Sequence, residues 1–275
     1  MVYLKGQIRK ALSGFYYVYA DGETYQTRAR GNFRNRKITP LVGDEVLFES
    51  DNLTDGYVLE ILPRRNELVR PPVANVDLGV VVMSMVSPNF SFNLLDRFLV
   101  SLEYKDIEPV IYLTKVDLLD EPQRQEVTEE LERFFPERLT VFMGQSGAGK
   151  STLLNQISPE LQLATAEISQ SLGRGKHTTR HVELIPLYDG LVADTPGFSA
   201  IDFLEMEAVE LPKQFPEFVA AASRCKFREC MHHKEPGCEV KRQVEAGTIA
   251  TSRYENYLQF LMEIENRRPV YKKKS

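Results

Sequence analysis

The order of two short motifs constrains this chain more than any other feature. Gly144-Gln145-Ser146-Gly147-Ala148-Gly149-Lys150-Ser151 matches G-x-x-x-x-G-K-[S/T], with an apolar run over 139–143 before it and a helical pattern over 151–157 after it. In that context the glycines let the backbone wrap closely around a phosphate with its N–H groups turned inward. Lys150 is placed to reach the outer phosphates and Ser151 to ligate Mg²⁺. The helix N-terminus adds a favourable dipole, and Thr152 is a further nucleotide-binding candidate beside it. Upstream of this loop stands Thr114-Lys115-Val116-Asp117, at the end of another apolar run. A carboxylate there can accept both the ring N–H and the exocyclic amino protons of guanine, which adenine cannot supply. Asp117 is therefore the candidate base reader, with Lys115 packing against the base. The usual layout of such a nucleotide site puts the phosphate loop first; here it comes second.

Two later segments complete the expected nucleotide site. Asp194-Thr195-Pro196-Gly197 ends an apolar strand. Asp194 would hold a metal-bound water there, and the Gly197 N–H would sense a γ-phosphate. A D-x-x-G turn is common by itself; its place downstream of the phosphate loop gives it weight. Between the two lies Gly173-Arg174-Gly175-Lys176-His177-Thr178-Thr179-Arg180. Thr178 or Thr179 is the candidate switch threonine that closes on Mg²⁺ and the γ-phosphate, so that Ser151 and Thr179 form one possible magnesium pair. The flanking glycines suit a loop that orders and releases. His177 is the candidate for positioning or deprotonating an attacking water, against the plainer reading of a surface histidine. Phe198, just after the Asp-x-x-Gly segment, cannot hydrogen-bond water.

A chain of 275 residues has room for two or three domains of roughly 100–150 residues. Residues 1–66 read as four or five short strands with turns at Asp21-Gly22 and Asp55-Gly56, the pattern of a small closed barrel such as an OB-fold. From 67 to 221 the chain alternates apolar strands (78–83, 109–113, 139–143, 181–187, 191–194) with helical patterns (94–104, 123–135, 151–157). This predicts an α/β sheet covered on both faces. Residues 222–275 are Cys/His-rich, then helical over 252–266. No apolar run approaches the ~20 residues a membrane span needs, and the start lacks the layout of a signal peptide. The expectation is a cytoplasmic monomer without a membrane partner. The net charge of −5 argues weakly against nucleic acid, but charge is local. Arg28, Arg30, Arg34, Arg36 and Lys37 fall within ten residues, and Arg267, Arg268, Lys272, Lys273 and Lys274 close the chain.

The three cysteines all fall between Cys225 and Cys238. An odd number in such a chain does not suggest a disulfide framework. Cys225-x4-Cys230-x-His232-x5-Cys238 offers three thiolates and one imidazole, the ligand set of a closed tetrahedral structural zinc site. His233 is the neighbouring alternative to His232, and three buried free thiols are the plainer reading.

The order base reader, phosphate loop, switch threonine, Asp-Thr-Pro-Gly resembles the circularly permuted GTPases. With the N-terminal barrel and the cysteine cluster, the chain is most similar to the ribosome small subunit-dependent GTPase A family. That resemblance implies an OB-fold, a permuted P-loop GTPase domain and a C-terminal, mostly α zinc domain, with His232 as the fourth zinc ligand. It also implies GTP binding with Mg²⁺, and GTP hydrolysis to GDP stimulated by the small ribosomal subunit, whose rRNA is the partner in late maturation. Two other readings are an RNA-binding switch that uses GTP occupancy as a sensor, and a P-loop ATPase or kinase, which Asp117 opposes. Two departures stand out. Thr114 occupies a place where the motif usually has Asn. Only 26 residues separate Asp117 from Gly144, too few for the extra strand and guanine loop that the family carries there. The shortfall falls near 120–128, either as a true deletion or as a stretch missing from this sequence.

Overall fold

The structure is a computed structural model that describes residues 2–31, 33, 38–69, 71–84, 90–114, 137–145, 147–157, 182–187, 189–194, 203 and 206–267. It divides into two compact units, one of residues 1–90 and 107–199, the other of residues 91–106 and 200–275. Among the described residues no helix is long and apolar enough to cross a membrane.

The first unit begins with a closed barrel. Strands β1 (Val2–Leu12), β2 (Phe15–Ala20), β3 (Glu23–Ala29), β4 (Glu45–Ser50) and β5 (Gly56–Ile61) pair in the cyclic order β1-β2-β3-β5-β4-β1. All of these pairings are antiparallel except β3–β5. This is the five-stranded Greek-key arrangement of an OB-fold. Alternation fills its interior: Ile8, Val18, Val46, Phe48 and Val58 are fully buried. β1 belongs to two neighbourhoods at once. A bulge between Ile8 and Lys10 shifts its register against β2, and beyond the bulge Lys10 pairs with Glu183 of a later strand. Their side chains also form an ion pair at 2.7 Å. The barrel therefore continues into the second part of the unit as one hydrogen-bonded sheet.

A two-stranded ribbon, β6 (Glu67–Leu68) and β7 (Val73–Ala74), follows. Then come β8 (Leu78–Ser84), β9 (Glu108–Thr114), β10 (Leu139–Met143), β11 (Glu183–Leu187) and β12 (Gly190–Asp194), in the spatial order β11-β12-β10-β8-β9. β12, β10, β8 and β9 are mutually parallel and β11 is antiparallel. Every residue of β8 and β10 is buried, as expected of parallel strands covered on both faces. Helix α1 (Phe92–Tyr104) lies in the β8–β9 crossover, and α2 (Lys150–Ile157) follows β10. Leu153 and Leu154 of α2 join Leu78, Val80, Val82 and Phe142 in one apolar cluster. The pattern expected over 123–135 and the stretch around His181 lie outside the described residues.

The second unit is helical. A 3-10 helix (Ala208–Gln214), α3 (Pro216–Ala222), α4 (Glu239–Glu245) and α5 (Thr251–Glu265) pack with α1 around Phe215, Phe218, Tyr257 and Phe260. Ser91 caps α1, its hydroxyl accepting from the Leu94 N–H at 3.2 Å. Arg253 of α5 bridges Asp96 of α1 and Glu217 of α3, and Asn256 donates to the second Asp96 oxygen at 2.7 Å. Asp96 is 5% exposed, so its charge is tolerated only because both oxygens are satisfied.

The link between the barrel and the parallel sheet turns on another buried carboxylate. Asp44 is fully buried and accepts from the Leu41 N–H at 2.7 Å and from Arg64 Nε and Nη2 at 2.7 and 2.8 Å. Asp44→Ala orphans the buried Leu41 amide and removes two acceptors from Arg64, which keeps Glu67 and the Thr39 carbonyl, so it is expected to cost about 2 kcal/mol. A clearly lowered urea midpoint checks this, and a loss below about 1 kcal/mol contradicts it.

Candidate functional site

The carboxyl ends of β8, β9, β10 and β12 lie at one edge of the parallel sheet, because parallel neighbours end together. The register pairs Met143 with Val81, Ser84 with Thr114, and Val141 with Ala193, one residue before Asp194. Crevices outside the carboxyl ends of parallel strands are where open α/β sheets take ligands. The three motif loops leave the sheet here: the one after Thr114, the phosphate loop after Met143 and the one after Asp194.

The phosphate loop is shaped by contact with β8. Gly144 has φ +144°, and a β-carbon there would sit 2.2 Å from the Val82 carbonyl oxygen. No other residue can make that exit from β10. Ala148, almost fully buried, plugs the loop into the apolar cluster under α2. Gly149, at φ +96°, brings the loop against Thr114. The Thr114 hydroxyl donates to the Ala148 carbonyl at 2.5 Å. Thr114 thus ties the end of β9 to the phosphate loop, a task the tetrapeptide pattern did not disclose. Lys150 opens α2 and reaches back, donating to the Gly144 and Gln145 carbonyls at 2.7 Å each. Burial lowers its pKa from 10.5 to about 8, because a desolvated ammonium loses more than a desolvated amine. Gly147, Ser151 and Thr152 lie in the described loop and first turn of α2. Ser146, Lys115, Val116, Asp117, His177, Thr178, Thr179 and Gly197 lie outside the described residues. Of Asp194 only its place at the end of β12 is described.

The second candidate site is in the other unit. The ligand atoms of Cys225, Cys230, His232 and Cys238 all lie within 4.8 Å of one another. His232 Nδ1 is 3.3 Å from Cys238 Sγ and 3.7 Å from Cys225 Sγ. His232, not His233, stands with the cysteines. This spacing and a Cys₃His donor set fit a tetrahedral metal ion. Burial holds the His232 imidazole below its ordinary pKa, which favours the neutral ring that ligates. Burial also pushes the Cys230 thiol up to about 12, with Cys238 and Cys225 adding to the rise. A cation is what such a cluster needs to hold its thiolates.

The model of the RsgA GTPase matches residues 61–133 and 121–204, and that of the RsgA N-terminal domain matches residues 5–58. The chain belongs to the RsgA GTPase family. An Enterococcus faecalis protein named small ribosomal subunit biogenesis GTPase RsgA is 92% identical, with all of both chains covered. One of the same name from Latilactobacillus sakei is 55% identical over 98% of each. Among solved structures, YloQ, described as a circularly permuted GTPase, superposes with a TM-score of 0.78 at 43% identity, covering 98% of each chain. YjeQ from Thermotoga maritima superposes with a TM-score of 0.80 at 32% identity, covering 97% of this chain and all of that one.

The family's architecture is the one described above: an N-terminal five-stranded barrel, a circularly permuted P-loop GTPase sheet and a C-terminal Cys₃His cluster. Membership in a GTPase family carries GTP hydrolysis. The alignment with the Enterococcus faecalis relative runs over 297 positions against 275 residues here, so that relative has residues with no counterpart in this chain. The GTPase match itself falls in two pieces that overlap over 121–133, the stretch where the spacing is short.

Cys230 is buried and is part of the apolar core of the second unit. Cys230→Ser is expected to lose bound metal and to expose residues 206–267 to protease before the barrel is cut. Full metal content in the purified variant, or cleavage of the barrel first, contradicts this.

Proposed function

We propose that this chain is a GTP-hydrolysing factor in late assembly of the small ribosomal subunit. It binds the subunit and its rRNA and hydrolyses GTP slowly alone and faster on the subunit. The observation that carries the reading is the gathering of the β9, β10 and β12 ends at one sheet edge, with Thr114 clasped to the phosphate loop. It is supported by the relatives named small ribosomal subunit biogenesis GTPase, matched along their whole length.

In this reading the 144–152 loop holds the β- and γ-phosphates through its N–H groups and Lys150. Asp117 selects guanine. Mg²⁺ bound with GTP neutralises charge building between the β- and γ-phosphates; Ser151, Thr178 or Thr179, and Asp194 through a water are the residues to hold it. Water attacks the γ-phosphorus, and GDP and phosphate leave. His177 is the group to orient or deprotonate that water, since Phe198 cannot. An unassisted GTPase of this type turns over on the order of 10⁻⁴ s⁻¹, so the subunit must complete the site. Zn²⁺ is the metal that suits three thiolates and one imidazole. Arg28 on β3 and Arg30 just beyond its end are the barrel residues proposed to meet RNA phosphates.

Single-turnover GTP hydrolysis with and without isolated small subunits tests the reading. Strong stimulation is expected, and none would refute it. His177→Ala is expected to remove the stimulated rate while leaving nucleotide affinity intact; unchanged stimulated turnover excludes His177 from that role.

Lys150 gives a test with a definite sign. Burial holds the Lys150 pKa at about 8, and phosphates bound beside it favour the charged form. Binding of GDP is therefore expected to take up protons where the free lysine is partly neutral. Calorimetry in buffers of different ionisation enthalpy should show roughly half a proton or more taken up at pH 8.5, falling as pH drops to 7.5. Uptake that is absent at pH 8.5 contradicts the assignment.

A further inference from the structure

The loop that carries the metal ligands is gripped from one side by α5. Tyr254 donates its phenol to the His232 carbonyl at 2.7 Å. Tyr257, fully buried, donates to the carbonyl of Met231. The two tyrosines are three residues apart and so share one face of the helix, and the two carbonyls they hold are consecutive. The amides around them are held as well: Glu235 accepts from the N–H of Met231 at 2.9 Å and of His233 at 3.0 Å.

This grip falls where the backbone needs it. His232 has φ +54°, a left-handed conformation that costs a residue with a β-carbon roughly 1–2 kcal/mol. That conformation turns the imidazole so that Nδ1 faces the sulfurs of Cys225 and Cys238. Phe218 meets the His232 ring edge-on with centroids 5.5 Å apart, and meets Tyr257 in the same way at 5.0 Å. Side chains of α3 and α5 therefore fix both the backbone and the ring of one metal ligand.

We propose that Tyr254 and Tyr257 are positioning residues for the metal centre, holding His232 in its ligating geometry and so setting how tightly the metal is bound and how fast it leaves. Neither touches the metal; each acts through the peptide of the histidine. The same helix sends Arg253 and Asn256 to Asp96 on α1. Metal binding that orders the loop also orders the α5 face that meets α1. The proposal rests on the reading of the Cys₃His cluster as a metal site.

The test is metal affinity and release in the full-length protein, with Zn²⁺ competed by a chromophoric chelator and Co²⁺ absorption reporting ligand geometry. Tyr254→Phe and Tyr257→Phe each remove one hydroxyl. Each is expected to weaken affinity about tenfold, within the range seen when groups behind a metal-ligating histidine are removed, and to shift the Co²⁺ bands. Asn256→Ala, on the same helix but bonded only toward α1, is expected to stay within about twofold of wild type. Tyrosine variants with wild-type affinity, release rate and spectrum would overturn the proposal. So would Asn256→Ala weakening the metal as much as they do, since that outcome reports general loosening of α5. Tyr254 is only half-buried, so Tyr254→Phe gives the reading if Tyr257→Phe fails to fold. A wild-type protein that binds neither metal would instead overturn the metal site itself.

Discussion

The burial of β10 between two parallel neighbours is the constraint on which the nucleotide edge depends. All five of its residues are inaccessible, and it is hydrogen-bonded to β8 on one side and β12 on the other. A strand hydrogen-bonded on both sides and covered on both faces is held in one register, because a slip of one residue would misfit every side chain packed against it. The place where the chain leaves it is then fixed too. Gly144 departs within 2.2 Å, for a hypothetical β-carbon, of the Val82 carbonyl. Ala148 returns the loop to the apolar cluster, and Thr114 pins it from β9. The phosphate-binding geometry is thus imposed by the sheet before any ligand arrives, which is how a loop of small residues can be pre-organised without side-chain bulk of its own.

Chain order and spatial order part company at this edge. Residues 114, 143 and 194 end strands of one parallel sheet, and nothing in their geometry records which came first in sequence. Permutation leaves the site intact because the strands stay paired as before; only the connections move. What it changes is where the ends of the GTPase segment lead. Upstream, the chain comes from the barrel, whose β1 is already hydrogen-bonded to β11. Downstream of Asp194, it runs into the unit that carries the metal cluster.

Much of this was legible in sequence, for identifiable reasons. β8 and β10 are continuous apolar runs of Val, Leu, Phe and Met, which only a doubly covered parallel strand explains. The phosphate loop combines glycines at fixed spacing with a strand before and a helix after, and the cysteines are concentrated in 14 residues. Other features carry no comparable signal. β1 escaped because Gly6 and the charged Lys5, Arg9 and Lys10 break its alternation, although it proves the longest strand described. The 3-10 helix and α3 were hidden by Pro212 and Pro216; the second sits at the first helical position, where proline is compatible with a helix. His232 was named as a ligand from spacing and likeness, but its positive φ and the phenols that hold its peptide depend on residues more than twenty positions away. The bond of Thr114 to the phosphate loop is likewise invisible in the tetrapeptide, since its acceptor is a backbone carbonyl 34 positions away.

The least legible feature is the allegiance of α1. Its apolar face predicted burial without saying against what. In sequence it is the crossover helix between β8 and β9, yet it packs with α5 and the 3-10 helix in the unit that holds the metal cluster. The chain therefore passes between the two units three times, near residues 90, 106 and 199. Two of those passages flank α1, one between β8 and α1 and one entering β9 at Glu108. The third follows Asp194. The ion pair of Arg253 with Asp96 anchors α1 to α5, and the phenols of α5 anchor it to the metal loop.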